Sequence, residues 1–151
     1  MIKYLNKNLI LKIDDKISKT DIIYKLINLV SEKTGLIIHK ESFIEKIMAR
    51  EAIGTTGIGR SIGVPHARCE NLNHIVFAIA LCKEGIEDYQ TPDGEKAKLL
   101  ILVGAPKDKN DEYLKLLASL SKAFRQDEYR NSVLLANDLE ELIEALAQVN
   151  D

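Results

Sequence analysis

The sequence predicts an α/β three-layer sandwich, a small mixed β-sheet flanked by helices, on three observations. Two continuous apolar runs, 74–81 (HIVFAIAL) and 98–103 (KLLILV), have the composition of strands buried on both faces. Amphipathic helical patterns precede and follow them, so helices are available for both sides of a sheet. At 151 residues the chain has the size of one domain, large enough for a core without disulfides or metal, and it shows no repeat, linker or low-complexity segment. One domain over 1–151 is expected.

Taken in order, residues 9–13 (LILKI) alternate partly and read as a strand. A helix is expected from Thr20, whose hydroxyl suits a cap, with Ile22, Ile23, Leu26, Ile27, Leu29 and Val30 as its apolar face and Gly35 as its end. The capping-box signature SFIE at 42–45 starts a second helix after Ser42. That helix should bury Ile44, Ile47 and Met48 and deliver Arg50 and Glu51 to the glycine-rich stretch beyond it. Between the two apolar runs, EDYQTPDGEK is turn chemistry punctuated by Pro92 and Asp93-Gly94. GAPKDKN (104–110) reads as a loop. DEYLKLLASLSKAF reads as a helix with Leu114, Leu117, Leu120 and Phe124 on one side, followed by a short helix around QDEYRNSVLLA. The last helix is capped by Asp138, paired box-fashion with Glu141, and should bury Leu139, Leu142, Ile143 and Leu146.

Composition narrows the function classes. Lys+Arg 21 against Asp+Glu 23 gives a formal charge of -2, and no basic run interleaved with aromatics occurs, which argues against nucleic acid and anionic membrane as partners. No apolar run approaches the roughly 20 residues of a membrane span. The N-terminal MIKYLNKNLILKID has too short an apolar core, with charges inside it, for a signal peptide. Two cysteines, Cys69 and Cys82, are too few for a disulfide framework and agree with a reducing compartment. A cytoplasmic protein with no membrane insertion is expected.

The chain is organised around residues 50–69, REAIGTTGIGRSIGVPHARC. Glycine permits close backbone approach, while Pro65 fixes its own φ and pushes Val64 into an extended conformation. The run reads as a shaped loop feeding a short extended segment that presents His66. One ring nitrogen is free for chemistry if the other is tied to a local acceptor.

Four chemistries compete for this stretch. Gly57-x-Gly59 misses the dinucleotide fingerprint, because Ile62 stands where the third glycine belongs, and no GK[ST] follows for a nucleotide triphosphate. GRSIG (59–63) matches the G-x-S-x-G elbow around Ser61, but that elbow needs a helix at once and Val64-Pro65 obstructs one. His66, Cys69, His74 and Cys82 are plausible metal ligands close in sequence. One strand over 74–82 would separate its ends by ~26 Å at ~3.3 Å per residue, so only an incomplete site survives, and neither metal nor cofactor is expected. Cys82 reads as a buried apolar thiol, and His39 and His74 as surface or strand-end residues.

The fourth chemistry makes His66 a nucleophile that carries a phosphoryl group, with Arg50 and Arg68 as the cations. Arg68 lies two residues past His66 and so points to the same face of an extended segment; Arg50 arrives from the preceding helix. Thr55, Thr56 and the amides from Gly57 to Gly59 are candidate phosphate donors. From the residues alone, a structural loop histidine accounts for the motif equally well.

REAIGTTGIGRSIGVPHAR resembles the phosphorylation-site signature of the type-2 (mannitol/fructose/nitrogen-regulatory) enzyme IIA domains of the bacterial phosphotransferase system. The likeness extends over nearly the whole chain. GIEDYQTPDGEKAKLLILVGAP resembles the family's second strand pair and EYLKLLASLSKAF its following helix. The resemblance implies that His66 accepts a phosphoryl group from the phosphohistidine of HPr or a paralogue. A sugar-specific member passes it to the cysteine of an enzyme IIB; a nitrogen-regulatory member controls protein partners such as a kinase or transporter. The nitrogen-regulatory branch is the expectation, because the chain carries no membrane or IIB segment. In that family a second histidine opens the helix after the GAP loop and helps to stabilise the phosphorylated form. Here that position, before Leu114, is Tyr113, and the family's Gly-Ile-Ala before Pro-His is Ser61-Ile62-Gly63. A phenol donates a hydrogen bond but does not become a cation near neutral pH. The alternative implied is a protein-binding module that kept the fold without the relay.

Overall fold

In the computed structural model, which describes residues 1–150, the two apolar runs form the central pair of a six-stranded mixed sheet. Strand β5 (Val76–Cys82) and strand β6 (Leu99–Ala105) are buried at every position and pair antiparallel, from Val76 opposite Gly104 to Leu81 opposite Leu99. Strand β1 (Ile10–Ile13) lies parallel to the outer side of β5. Along the other side of β6 run β3 (Ile62–Gly63) and then β4 (His66–Arg68), both parallel to it, and β2 (Gly57–Gly59) closes a hairpin on β3.

Successive side chains of a strand point to opposite faces, and both faces are covered here. Phe77, Ile79, Leu81, Leu99, Ile101 and Val103 pack with helices α3 (Asn110–Phe124), α4 (Asp127–Leu134) and α5 (Leu139–Ala147). Ala78, Ala80, Cys82, Leu100 and Leu102 pack with α1 (Lys19–Lys33) and α2 (Lys40–Ile53). The three layers follow from the double-sided strands: each fully buried Leu, Ile or Phe contributes about 1.5–3 kcal/mol, so neither face tolerates water. Gly104 lets α2 approach β6, since a Cβ there would lie 2.6 Å from the Phe43 ring.

Helix ends differ from the sequence expectation where a competing cap wins. Ser18, not Thr20, caps α1, its hydroxyl accepting from the Asp21 amide at 3.1 Å. The helix stops at Lys33, two residues before Gly35, and the hydroxyl of its cap, Thr34, donates to the Val30 carbonyl at 2.7 Å. Helix α2 starts at Lys40 rather than after Ser42, with Phe43, Ile47 and Glu51 buried at a four-residue spacing and Ile44 and Met48 half-buried. In α3 the buried face is Tyr113, Leu116, Leu120, Ala123 and Phe124; Leu114 is exposed, contrary to expectation. Asp138 caps α5 as expected, accepting from the Glu141 amide at 2.8 Å, while Glu141 accepts from the Asn137 amide at 2.9 Å. Leu139 is exposed and Ile143 half-buried, so the core stripe of α5 is Leu142, Ala145 and Leu146. Among the described residues no helix is long and apolar enough to cross a membrane.

Candidate active site

Residues 54–68 fold into more than a loop. Gly57–Gly59 and Ile62–Gly63 pair as a hairpin whose turn residues, Arg60 and Ser61, both have positive φ, 54° and 67°. Ser61 is therefore followed by a strand rather than a helix, and its hydroxyl donates to Glu95 at 3.0 Å. This removes the geometry of a hydrolase elbow. The register with β6 is unchanged across Val64-Pro65, from Gly63 opposite Leu100 to His66 opposite Val103, but Pro65 has no amide hydrogen to give to the ladder; its carbonyl accepts from Val103 at 3.0 Å, while the Val64 amide turns the other way and donates to the Thr56 carbonyl at 3.1 Å. His66 follows on β4, paired with Val103, so its side chain lies on the face that carries α3.

The Val64 carbonyl decides the state of the imidazole. His66 Nδ1 lies 2.6 Å from the Val64 carbonyl oxygen. A carbonyl only accepts, so Nδ1 carries the proton, and the neutral ring keeps its lone pair on Nε2. His66 is half-buried, and the Tyr113 ring, in the first turn of α3, lies 6.2 Å from it between centroids, tilted by 47°.

Two guanidinium groups converge on the same corner. Arg68 shares the face of His66, and its Nη1 donates to Asn110 Oδ1, the first residue of α3, at 2.6 Å. Arg50, in the last turn of α2, donates to the Gly54 carbonyl at 3.0 Å. Neither is ion-paired to a carboxylate among the described residues. Burial pushes the Tyr113 phenol above its ordinary value, with the positive charges of Arg68 and Arg50 acting in the opposite direction. Tyr113 is thus a buried donor beside a histidine and two unneutralised cations.

Of the donors expected from the glycine-rich run, the Thr55 and Thr56 hydroxyls and the Gly57 amide are engaged within the protein. Thr56 is buried, and its hydroxyl bonds to the Glu51 carboxylate and the Tyr89 hydroxyl. Thr55 donates its hydroxyl to the Gln90 carbonyl at 2.7 Å, and the Gly57 amide donates to Thr55 Oγ1 at 3.0 Å. Gly59 lies by the hairpin turn, beside Arg60 and the end of α3.

A buried polar chain that sequence reasoning missed holds this run in place. Glu51 occupies the core stripe of α2, and its Oε2 pairs with Lys19 Nζ at 2.6 Å, both side chains at least 85% buried. Lys19 also sits 4.4 Å above the Tyr89 ring. Lys19, Glu51, Thr56 and Tyr89 therefore tie the start of α1, the end of α2, the loop and the segment before β6 together, with the Thr56 carbonyl bonded to the Val64 amide. The only sequence signal was the spacing 43, 47, 51, which puts a carboxylate on an apolar stripe. Cys69 and Cys82 are buried free thiols, His39 and His74 are exposed, and among the described residues no three His, Cys, Asp or Glu come together as a metal-holding group.

With this geometry in view, the family model described as "Phosphoenolpyruvate-dependent sugar phosphotransferase system, EIIA 2" matches residues 3–149. The chain belongs to this family. EIIA domains of this type are phosphocarriers, and the relatives of this one fall in both sugar-transport and regulatory groups. It is 30% identical over 138 residues to the fructose-specific EIIABC component of Bacillus subtilis, covering 91% of this chain but 21% of that longer protein. It is 30% identical to the fructose-specific EIIA component of Haloferax volcanii, covering 76% of this chain and 74% of the relative. A nitrogen regulatory protein of Bradyrhizobium diazoefficiens is 26% identical over 86% of this chain and 83% of its own. The fold of this EIIA chain matches the crystal structure of the nitrogen regulatory protein IIA-Ntr from Neisseria meningitidis with a TM-score of 0.81 at 23% identity, over 96% of this chain and 97% of that one. It also matches Escherichia coli enzyme IIA-mannitol in complex with phosphorylated IIB-mannitol, with a TM-score of 0.74 at 21% identity, over 95% and 96% of the two chains. The expected three-layer mixed-sheet fold is thus the fold of the family.

Proposed function

We propose that His66 is the phosphoryl acceptor of this EIIA domain, charged by the phosphohistidine of HPr or a paralogue. The observation that carries this reading is the bond between His66 Nδ1 and the Val64 carbonyl, which leaves Nε2 as the nucleophile. Nε2 attacks phosphorus in line; the phosphorus–nitrogen bond on the donor breaks as the new one forms, and the donor imidazole leaves with the electron pair. Positive charge spreads onto the His66 ring, and the Val64 carbonyl stabilises it through the Nδ1 proton. Arg50 and Arg68 neutralise the phosphoryl oxygens, and Tyr113 supplies a neutral hydrogen bond where the family's second histidine would stand.

The phosphoryl group then passes to the cysteine of an enzyme IIB, or the phosphorylation state itself signals to a regulatory target such as a kinase or transporter. Exposed Ile53 and Leu114, at the end of α2 and beside Tyr113, give the acceptor corner an apolar rim for a protein donor rather than a free small molecule. Incubation with phosphoenolpyruvate, enzyme I and HPr tests the reading. An acid-labile phosphoprotein, absent from His66→Ala, is expected; a wild type that takes up no label overturns it. A second reading, a regulatory module that binds partners without being phosphorylated, is favoured by Tyr113 itself, which is buried and uncharged. His66→Ala then leaves partner binding intact.

A further inference from the structure

We propose that the cleft between the β2–β3 turn and the α3–α4 junction binds the phosphate group of a small phosphorylated metabolite. Its volume is about 220 Å³, and Arg60, Arg125, Arg130, Asp127, Ser121 and Phe124 line it. Tyr113 lies twelve residues before Arg125, about 18 Å along α3 at 1.5 Å per residue, so this is not the His66 corner.

The turn residues point to a use for Arg60. A two-residue hairpin turn with both φ positive favours Asn-Gly, and an ordinary side chain there costs about 1–2 kcal/mol. Arg60-Ser61 takes this conformation nonetheless, at φ 54° and 67°. The surroundings hold it: Asp93 Oδ2 accepts from the Arg60 amide at 2.9 Å, and the Ser61 carbonyl accepts from the amides of Lys98 and Leu99 at 2.8 and 3.0 Å. The strained turn thereby sets the Arg60 guanidinium against the end of α3.

Charge in the cleft is unbalanced. Arg130 is buried and fixed, with Nη1 donating to the Phe124 carbonyl at 2.9 Å and Nη2 to Asp127 Oδ1 at 2.7 Å. Asp127 is the cleft's one carboxylate; it bonds to Arg130, and the charge of Arg60 acts on it from further off. Arg60 and Arg125 have no ion-pair partner among the described residues. Three guanidiniums against one carboxylate leave a charge of +2, which a phosphomonoester of about −1.5 to −2 near pH 7 neutralises. Planar guanidinium forks match phosphate oxygens, the Ser121 hydroxyl adds a donor, and the Phe124 ring offers an apolar wall for the rest of a small ligand. A ligand there would tie the hairpin that leads to His66 to the helix that carries Tyr113.

The test is a titration of the ¹⁵N-labelled full chain with inorganic phosphate and with glucose 6-phosphate, against glucose and potassium chloride at matched ionic strength. Saturable shifts of the amides around residues 59–61 and 121–130 are expected with the phosphate-bearing probes and not with the controls. The tighter of the two identifies the source as free phosphate or phosphorylated metabolite. Arg60→Gly removes the guanidinium while relaxing the positive φ, so it folds at least as well as wild type, and Arg125→Gln keeps the helix end. Each should weaken binding about tenfold or more, the loss of one charge-assisted contact. Shifts confined to residues near His66, no saturable shift beyond that of chloride, or unchanged affinity in both variants would overturn the proposal.

Discussion

His66 Nδ1 and the Val64 carbonyl oxygen lie 2.6 Å apart across Pro65, a bond made by a carbonyl that β6 does not use. The Ser61 and Pro65 carbonyls face β6, so the Val64 carbonyl, between them in the alternation, points away from β6 and is free to accept from the imidazole. The expected outcome is that the unphosphorylated protein holds His66 in the Nδ1–H tautomer and that phosphorylation occurs at Nε2. Nitrogen shifts of the ring check the first point and phosphorus–nitrogen couplings the second. A resting Nε2–H tautomer, or phosphate on Nδ1, contradicts the mechanism.

Tyr113 is the residue on which acceptor strength should turn. Tyr113→Phe keeps the buried ring and removes one hydrogen bond to a charged group, so phosphoryl uptake should slow by about 10- to 100-fold while the fold is retained. Tyr113→His should raise uptake. Burial lifts the phenol above its ordinary value of 10.0, so it stays protonated, and its contribution should not fall as pH rises from about 7 to 9. Rapid-quench labelling across that range checks all three. Equal rates for wild type and Tyr113→Phe would reduce Tyr113 to packing.

What the sequence made legible was what depends on local periodicity. Strands β5 and β6 were readable because double-sided burial leaves an uninterrupted apolar run, and Arg68 could be placed with His66 because residues two apart in a strand share a face. The hairpin β2–β3 was not readable, since Arg60-Ser61 stands where turn propensity asks for Asn-Gly and tertiary bonds override the preference. In α3, leucines at 114, 116, 117 and 120 offer two overlapping stripes, and only the sheet selects the one containing Tyr113. The polar chain beneath Val64 joins Thr56 to Tyr89 across 33 positions, and Tyr89 lay in a segment of turn composition. No pattern within one element encodes such a contact.

That buried chain should decide whether the site is assembled at all. Glu51→Ala leaves Lys19 without its partner in the interior and should destabilise by about 3–5 kcal/mol, while Lys19 and Glu51 together replaced by Met and Leu should recover much of the loss. Gly63→Ala acts on the same place from another side, because its Cβ would fall 2.5 Å from the Tyr89 ring. Its expected signature is slower phosphoryl uptake together with a lower Tm. Urea unfolding and labelling rates measured on the same preparations check this. An unaltered midpoint in Glu51→Ala would show that the ion pair is not structural.

Stability at alkaline pH tests the burial of titratable groups on the α1–α2 face. Burial alone pushes the Cys82 thiol from 9.0 up to about 12, and burial followed by the nearby Glu51 carboxylate pushes the Tyr89 phenol upward from 10.0. Both groups hold their protons more tightly when folded. Their contribution is therefore complete below the unfolded-state values and is lost as pH rises through the folded ones, beginning with the thiol near pH 9.0. Tm should stay flat between about pH 6 and 8 and decline above about pH 9. Cys82→Ala removes the first group to titrate, so its Tm, lower at neutral pH because of the small cavity, should fall less steeply between about pH 9 and 10 than that of wild type. Parallel pH–Tm curves for the two proteins would mean that the thiol ionises as readily folded as unfolded, which its complete burial at the end of β5 forbids.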